Sequence, residues 1–167
     1  FFTTDNDGKR DLNSYNLRTD KVTLLQKDTR IGDLAFNQAD ESLWGVKHLN
    51  GISTLVKIPK YNNEEPNKHY LNWEQKYTLP FGVDMFDLDL SPDGKNLSAA
   101  VTDLNGNQFL NIYVLNSFNN FDKEKIEFEE VFNFDVSSPQ SFKYSEDGSL
   151  LVGSSYYSGV SNIFKVD

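Results

Sequence analysis

Apolar and polar residues alternate in short runs along the whole chain, and turn residues separate the runs. In Phe86–Asn116, Leu88 and Leu90 alternate with Asp87 and Asp89, the pattern of a half-buried strand. Ser91-Pro92-Asp93-Gly94 follows as a tight turn, with Pro presetting φ and Gly free to take a positive φ. Leu97–Val101 is a second strand, Asn105-Gly106 a second turn, and Ile112–Leu115 a third strand.

This unit recurs. At a shift of 54 residues Phe36 falls on Leu90 and then Tyr144, Leu43 on Leu97 and Leu151, and Gly45 on Ala99 and Gly153. Ser91-Pro92-Asp93-Gly94 matches Ser145-Glu146-Asp147-Gly148 and, more loosely, Asn37-Gln38-Ala39-Asp40. A fourth alternating strand repeats at a shift of 55: Leu71, Trp73, Gln75, Tyr77 and Leu79 fall on Ile126, Phe128, Glu130, Phe132 and Phe134. Four antiparallel strands repeated at this spacing predict the blades of a β-propeller, whereas a β-sandwich needs no fixed period.

The expected fold is all-β, a partial propeller with two whole blades, 30–79 and 85–134, flanked by partial blades at 1–28 and 141–167. Phe1–Thr4, Leu12–Leu17 and Val22–Leu25 read as the second to fourth strands of the first blade, with Asp5–Arg10 as a hairpin turn. The second blade is Ile31–Phe36, Leu43–His48, Ser53–Ile58 and Leu71–Leu79, with Tyr61–Lys68 as a polar loop. Phe118–Lys125 is the equivalent loop of the third blade.

The 167 residues suffice for a sizeable core, and the 13 Phe and 8 Tyr suit strand packing. A net charge of −9 argues against a nucleic-acid partner, which needs a basic footprint. No apolar run is long enough to span a membrane as a helix. The lack of cysteine excludes disulfides, thiol catalysis and zinc–thiolate sites. The chain opens at Phe1-Phe2-Thr3-Thr4 without Met or signal segment, so it is expected to be a piece of a longer protein.

Candidate chemistry is thin. Asp5-Asn6-Asp7-Gly8 with Asp11 invites a calcium reading, but Thr3 and Ser14 occupy the EF-hand positions that require acids, and a hairpin turn accounts for the same residues. The Ser-x-Asp-Gly turns lack the residue that sialidase Asp-boxes place between Asp and Gly. His48 and His69, the only histidines, have no second His or Cys at metal-ligand spacing, and no Gly-x-Ser-x-Gly elbow marks a nucleophile. Trp44 and Trp73 read as packing residues, and Glu74, Glu127, Glu129 and Glu130 as edge-strand protection. No catalytic residue, metal or cofactor is predicted.

Leu90–Leu115 and Tyr144–Asp167 resemble the WD-like repeats of TolB-like propellers, and Ser42–Pro59 is similar to blocks in large bacterial propeller proteins. The resemblance implies a non-catalytic protein-interaction module, periplasmic or otherwise extracytoplasmic, without nucleic acid. It also admits a substrate-gating propeller of a peptidase whose catalytic domain lies elsewhere. A sugar-active propeller enzyme would need acidic and aromatic residues converging in the channel. Loops entering the innermost strands, Gln26–Arg30, Phe81–Asp84 and Ser137–Gln140, form one face, and Arg30, Asp84 and Gln140 are the expected binding residues. Uncovered blade faces predict that the chain self-associates.

Overall fold

The computed structural model describes residues 1–7, 9–60, 72–119 and 126–166. Their strands form four antiparallel sheets. β1 (Phe2–Asn6), β2 (Lys9–Asn16) and β3 (Lys21–Gln26) make the first. β4 (Ile31–Asn37), β5 (Ser42–Leu49), β6 (Ile52–Ile58) and β7 (Glu74–Thr78) make the second. β8 (Asp84–Leu90), β9 (Asn96–Thr102), β10 (Gln108–Val114) and β11 (Phe128–Asn133) make the third, and β12 (Gln140–Tyr144), β13 (Leu151–Ser155) and β14 (Asn162–Val166) the fourth. Strands pair in sequence order within each sheet, while β4 packs beside β8 and β8 beside β12. This is a partial β-propeller: two four-stranded blades between two three-stranded ones.

The turns are built by their own side chains. Ser91 Oγ donates to Asp93 Oδ1 at 2.7 Å and accepts from Asn96 N at 2.9 Å, while Gly94 closes the turn at φ 69°. Ser145, Asp147 and Gly148 repeat the arrangement, with Ser145 Oγ 2.6 Å from Asp147 Oδ1. Asn37–Asp40 is built differently. Asn37 Oδ1 accepts from Ala39 N, Asp40 Oδ1 accepts from the amide and hydroxyl of Ser42, and Glu41 takes φ 56°. Asn37 Nδ2 then donates to Gly94 O at 3.2 Å, docking one blade's turn on the next.

Each seam between blades has its own apolar filling. Leu12, Leu43 and Ile58 close the first seam, and Leu110, Phe134, Phe142 and Leu151 the third. The largest cluster lies between the second and third blades, around Trp44, Leu55, Met85, Leu97 and Tyr113. Phe118 belongs to it. The sequence pattern placed Phe118 in a loop, but it sits on a 3-10 turn, Leu115–Asn119, at 5% exposure, against Trp44, Tyr77 and Tyr113. A single aromatic among polar residues gives no period to read, so only packing reveals its role. The hairpin turn is also tighter than expected, because Asp5 pairs with Arg10 and Asn6 with Lys9 in the ladder. The expected loop Tyr61–Lys68, His69, Leu71, Gly8 and the 120–125 part of Phe118–Lys125 lie outside the described residues.

A polar ladder runs along the innermost strands. Each has an irregularity at the same repeat position, between Gly32 and Ala35, Phe86 and Asp89, and Gln140 and Lys143. Asp33, Asp87 and Ser141 occupy these bulges with φ of 50°, 52° and 55°. Asp33 Oδ1 accepts from Asp87 N at 3.1 Å, and Asp87 Oδ2 from Phe142 N at 3.1 Å. Asp89 Oδ2 accepts from Tyr144 N at 2.8 Å, and Lys143 Nζ donates to Leu88 O at 2.9 Å. The bulges turn backbone N–H groups toward the neighbouring blade, and the carboxylates satisfy them.

The two bulge aspartates, Asp33 and Asp87, are unequal. Burial raises the Asp33 pKa, but hydrogen bonds from His48 and the Asp87 amide, with the His48 and Arg10 charges, outweigh it and hold the carboxyl below its ordinary value. Burial raises that of Asp87, with repulsion from Asp33, and Lys143 and the Phe142 and Ser141 amides offset this only in part. A lowered folded-state pKa adds stability above the unfolded value and loses it as pH falls, whereas a raised one withdraws stability as pH rises. Asp33→Asn should therefore cost about 1 kcal/mol at neutral pH, by urea unfolding, and progressively less as the pH falls below the ordinary carboxylate range. Asp87→Asn keeps an oxygen for Phe142 N and relieves repulsion, so its midpoint at neutral pH should equal or exceed that of the parent. In the third seam, a Cβ on Gly153 would come 2.4 Å from the Phe142 ring, so Gly153→Ala should cost about 1–3 kcal/mol in the same assay.

Candidate functional site

The loops between outer and inner strands gather at one end of the blades. With them lie the β5–β6 turn at Asn50-Gly51 and the β9–β10 loop through Leu104. Asn50 and Gly51 both take positive φ, 52° and 75°, which lets the β5–β6 turn stay tight. Gly82 N donates to Gly51 O at 3.1 Å, tying the loop entering β8 to that turn. A ≈ 230 Å3 cleft opens there, lined by His48, Gly51, Ser53, Gly82, Val83 and Asp84.

Its polar wall crosses two blades. Ser53, at 4% exposure, donates from Oγ to Asp84 Oδ1 at 2.6 Å. His48 Nδ1 lies 3.1 Å from Ser53 Oγ and 3.3 Å from Asp84 Oδ1. On the other side of the ring, Nε2 stands 3.8 Å from Asp33 Oδ2, the same carboxylate that takes the Asp87 amide through Oδ1. His48 and Ser53 are a cross-strand pair on β5 and β6, and Asp84 begins β8. Asp84 Oδ1 also accepts from Met85 N at 2.8 Å, which fixes the carboxylate.

The residue types are those of a Ser–His–Asp triad, but their connectivity differs. In a triad the serine hydroxyl gives its proton to the imidazole. Here the buried Ser53 hydroxyl is committed to Asp84, with His48 alongside. The arrangement joins two blades and holds an imidazole between two carboxylates, and it does not activate the serine. Among the described residues, no group of three or more His, Cys, Asp or Glu side chains is arranged to hold a metal ion.

Asp84 lines this cleft, and Arg30 reaches it only through its backbone. Arg30 takes φ 55°, its carbonyl accepts from His48 N at 3.0 Å, and its Nε lies 3.5 Å from Asp28 Oδ1. Gln140 is exposed on β12 opposite Ser154, with no contact to the other two. The repeat explains the split: Arg30 and Asp84 are 54 residues apart and occupy equivalent positions, whereas Gln140 matches Phe86. Asp33 and Ser53 were not singled out from the sequence. The spacing of Asp33 and Asp87 was the signal for the first, and no local motif marks the second.

The same end is apolar at its rim. Phe81 and Leu104 are 72% and 71% exposed, and Val136 is 80% exposed. A Cβ on Gly51 would touch the Phe81 ring at 3.0 Å and one on Gly82 would meet Leu104 at 2.8 Å, so these side chains border the cleft. Leu49 and Ile52 are exposed where β5 ends and β6 begins.

No family model and no curated protein matches the sequence. Solved structures do match in shape. TolB from Acinetobacter baumannii superposes with a TM-score of 0.67 at 14% identity, over 93% of this chain and 34% of that one. An oligogalacturonate lyase in complex with manganese gives 0.56 at 16% identity, over 87% and 35%. A prolyl endopeptidase gives 0.53 at 12% identity, over 95% and 23%. This chain thus spans about a third or less of the length of each. Identities this low speak for fold and not for activity. The chain is a β-propeller segment of TolB-like fold.

Proposed function

We propose that this segment is a non-catalytic protein-interaction platform and that its loop face receives the partner. The observation that carries the reading is the exposed apolar rim of Phe81, Leu104, Leu49 and Ile52 beside a polar cleft, with Val136 exposed on the next loop of the same face. Exposed apolar groups rimmed by polar ones are the usual composition of a protein contact. In this reading Arg30, Asp84 and Gln140 are polar members of that face, with Asp84 in the cleft. With a net charge of −9, the fitting partner offers basic groups beside apolar side chains. An extracytoplasmic, periplasmic setting goes with this reading, and no helix among the described residues is long and apolar enough to cross a membrane.

A second reading is a substrate-gating propeller of a peptidase. The fold likeness to a prolyl endopeptidase favours it. A Gly-x-Ser-x-Gly elbow followed by Asp and His elsewhere in the full coding sequence would move the assignment there.

Capture of partners from an extract of the source cells, with cross-linking mass spectrometry, tests the platform. Cross-links should concentrate on 26–30, 49–53, 81–84, 103–107 and 137–140. Phe81→Glu with Leu104→Glu should cut capture by about tenfold or more with thermal unfolding unchanged, and Arg30→Ala, Asp84→Ala and Gln140→Ala together should weaken it further. Cross-links centred on the opposite turns, 91–94 and 145–148, or capture indifferent to both sets, would refute the reading. Val22 and Leu24 on the first blade and Val152 and Ile163 on the last are also exposed. Light scattering of the 167-residue chain should accordingly show self-association at micromolar concentrations, and a strict monomer would contradict it.

A further inference from the structure

A second cavity, of ≈ 370 Å3, opens on the face of the second blade that turns toward the first, next to the loop-face cleft, with which it shares Ile52. Its lining includes Lys47, Thr54, Val56, Trp73, Gln75 and Thr78. Lys47, Thr54 and Thr78 stand in one row across β5, β6 and β7, with Val56 and Gln75 in the row below.

Comparison with the equivalent rows shows what is unusual. In the third blade the positions of Lys47 and Thr54 are held by Val101 and Phe109, and Val101 is buried in the seam cluster. In the fourth blade Ser155 takes the place of Lys47, but the Tyr157 ring packs on Phe132 at 5.3 Å and Phe134 at 6.0 Å and fills the seam. In the second blade, by contrast, an ammonium group stands in this row and the row opens onto the cavity. A polar substitution in an otherwise apolar packing row, without a compensating contact, marks a functional position more often than a structural one.

The lining has a directional chemistry. Trp73 is held by its indole N–H, which donates to Gln26 Oε1 across the seam at 3.0 Å, so the ring is a fixed platform. Thr54 and Thr78 hydroxyls lie 3.4 Å apart, and Gln75 Nε2 donates to Thr78 Oγ1, leaving hydroxyl and amide oxygens for a ligand. Lys47 has no ion pair among the described residues, although the chain carries 25 acidic side chains against 16 basic ones. The volume is within the range of small-molecule pockets, which combine an apolar lining with a few placed polar groups.

We infer that this cavity on the face of the second blade binds a small carboxylate with a flat apolar face, stacked on Trp73 and paired through its carboxylate with Lys47. Thr54, Thr78 and Gln75 take its hydroxyl groups. Two sources share that chemistry: a sugar acid in pyranose form and a hydroxylated aromatic acid. The site borders the loop-face rim at Leu49 and Ile52 but uses none of His48, Ser53 and Asp84, and its test reads Lys47, which the platform reading does not use.

Titration of the 167-residue chain with glucuronate and with 4-hydroxybenzoate, each beside its neutral counterpart glucose or phenol, tests it. Amide shifts and tryptophan emission are the readouts. Trp44 is buried with its indole bonded to Ser42, so a ligand-dependent change reports Trp73. At least one acid should bind in the millimolar range or tighter, at least about tenfold better than its neutral counterpart, and shift the amides of Lys47, Thr54 and Thr78. Which acid does so identifies the source. Lys47→Met retains the aliphatic stem and should lose about tenfold or more in affinity with unchanged thermal unfolding, while Lys9→Met should bind normally. No shift with either acid up to about 10 mM, equal binding of the neutral counterparts, or undiminished binding by Lys47→Met would each overturn the inference.

Discussion

A single blade of this chain cannot bury both of its faces, and everything else follows from that constraint. A four-stranded sheet shields one side only when another sheet packs on it, so stability is shared across seams. Three seams carry it here, filled around Leu12, Leu97 and Phe142. The repeat of Leu43, Leu97 and Leu151 places a branched apolar side chain at the same depth each time. Gly45, Ala99 and Gly153 place a small residue two positions on, where the neighbouring inner strand approaches closely. Apolar packing alone would tolerate sliding of one flat sheet on another. The carboxylate–amide bonds from Asp33 to Asp87 and from Asp87 to Phe142 have definite partners, and they fix the angle and height of each blade.

That ladder also determines what the loop face can be. Asp33 uses one oxygen to orient the third blade and turns the other toward His48. His48 in turn lies beside Ser53 and Asp84, so the cleft and the seam share side chains. Groups with this many partners hold the cleft at a constant shape. The apolar rim of Phe81, Leu104 and Val136 stands outside this network, on loops whose side chains are not spent on packing.

Most of the fold could be read from the sequence because its determinants are periodic. Alternation gives the strands, Ser-x-Asp-Gly gives the turns, and the 54-residue spacing gives the architecture. Phe118 was missed because its burial depends on three rings from two blades. The Asn37–Asp40 turn was legible as a position but not as a geometry, since Asn37 and Asp40 each cap it by a separate bond. The site was half legible. The place of Asp84 follows from its loop position, but its partnership with His48 and Ser53 joins residues 31 and more apart across a seam, and no local pattern encodes it. The open seam at Lys47 was legible only in hindsight, as the place where one repeat puts a charge and another a valine.

Amide hydrogen exchange at Asp87, Phe142 and Tyr144 tests the central claim most directly. These three N–H groups donate to carboxylates of the preceding blade. If blades are locked by the ladder, the three amides exchange as slowly as those of the central strand β9, and they open together with it. Exchange of all three at the rate of exposed loop amides, with β9 still protected, would mean that the blades fold separately and that the ladder does not join them.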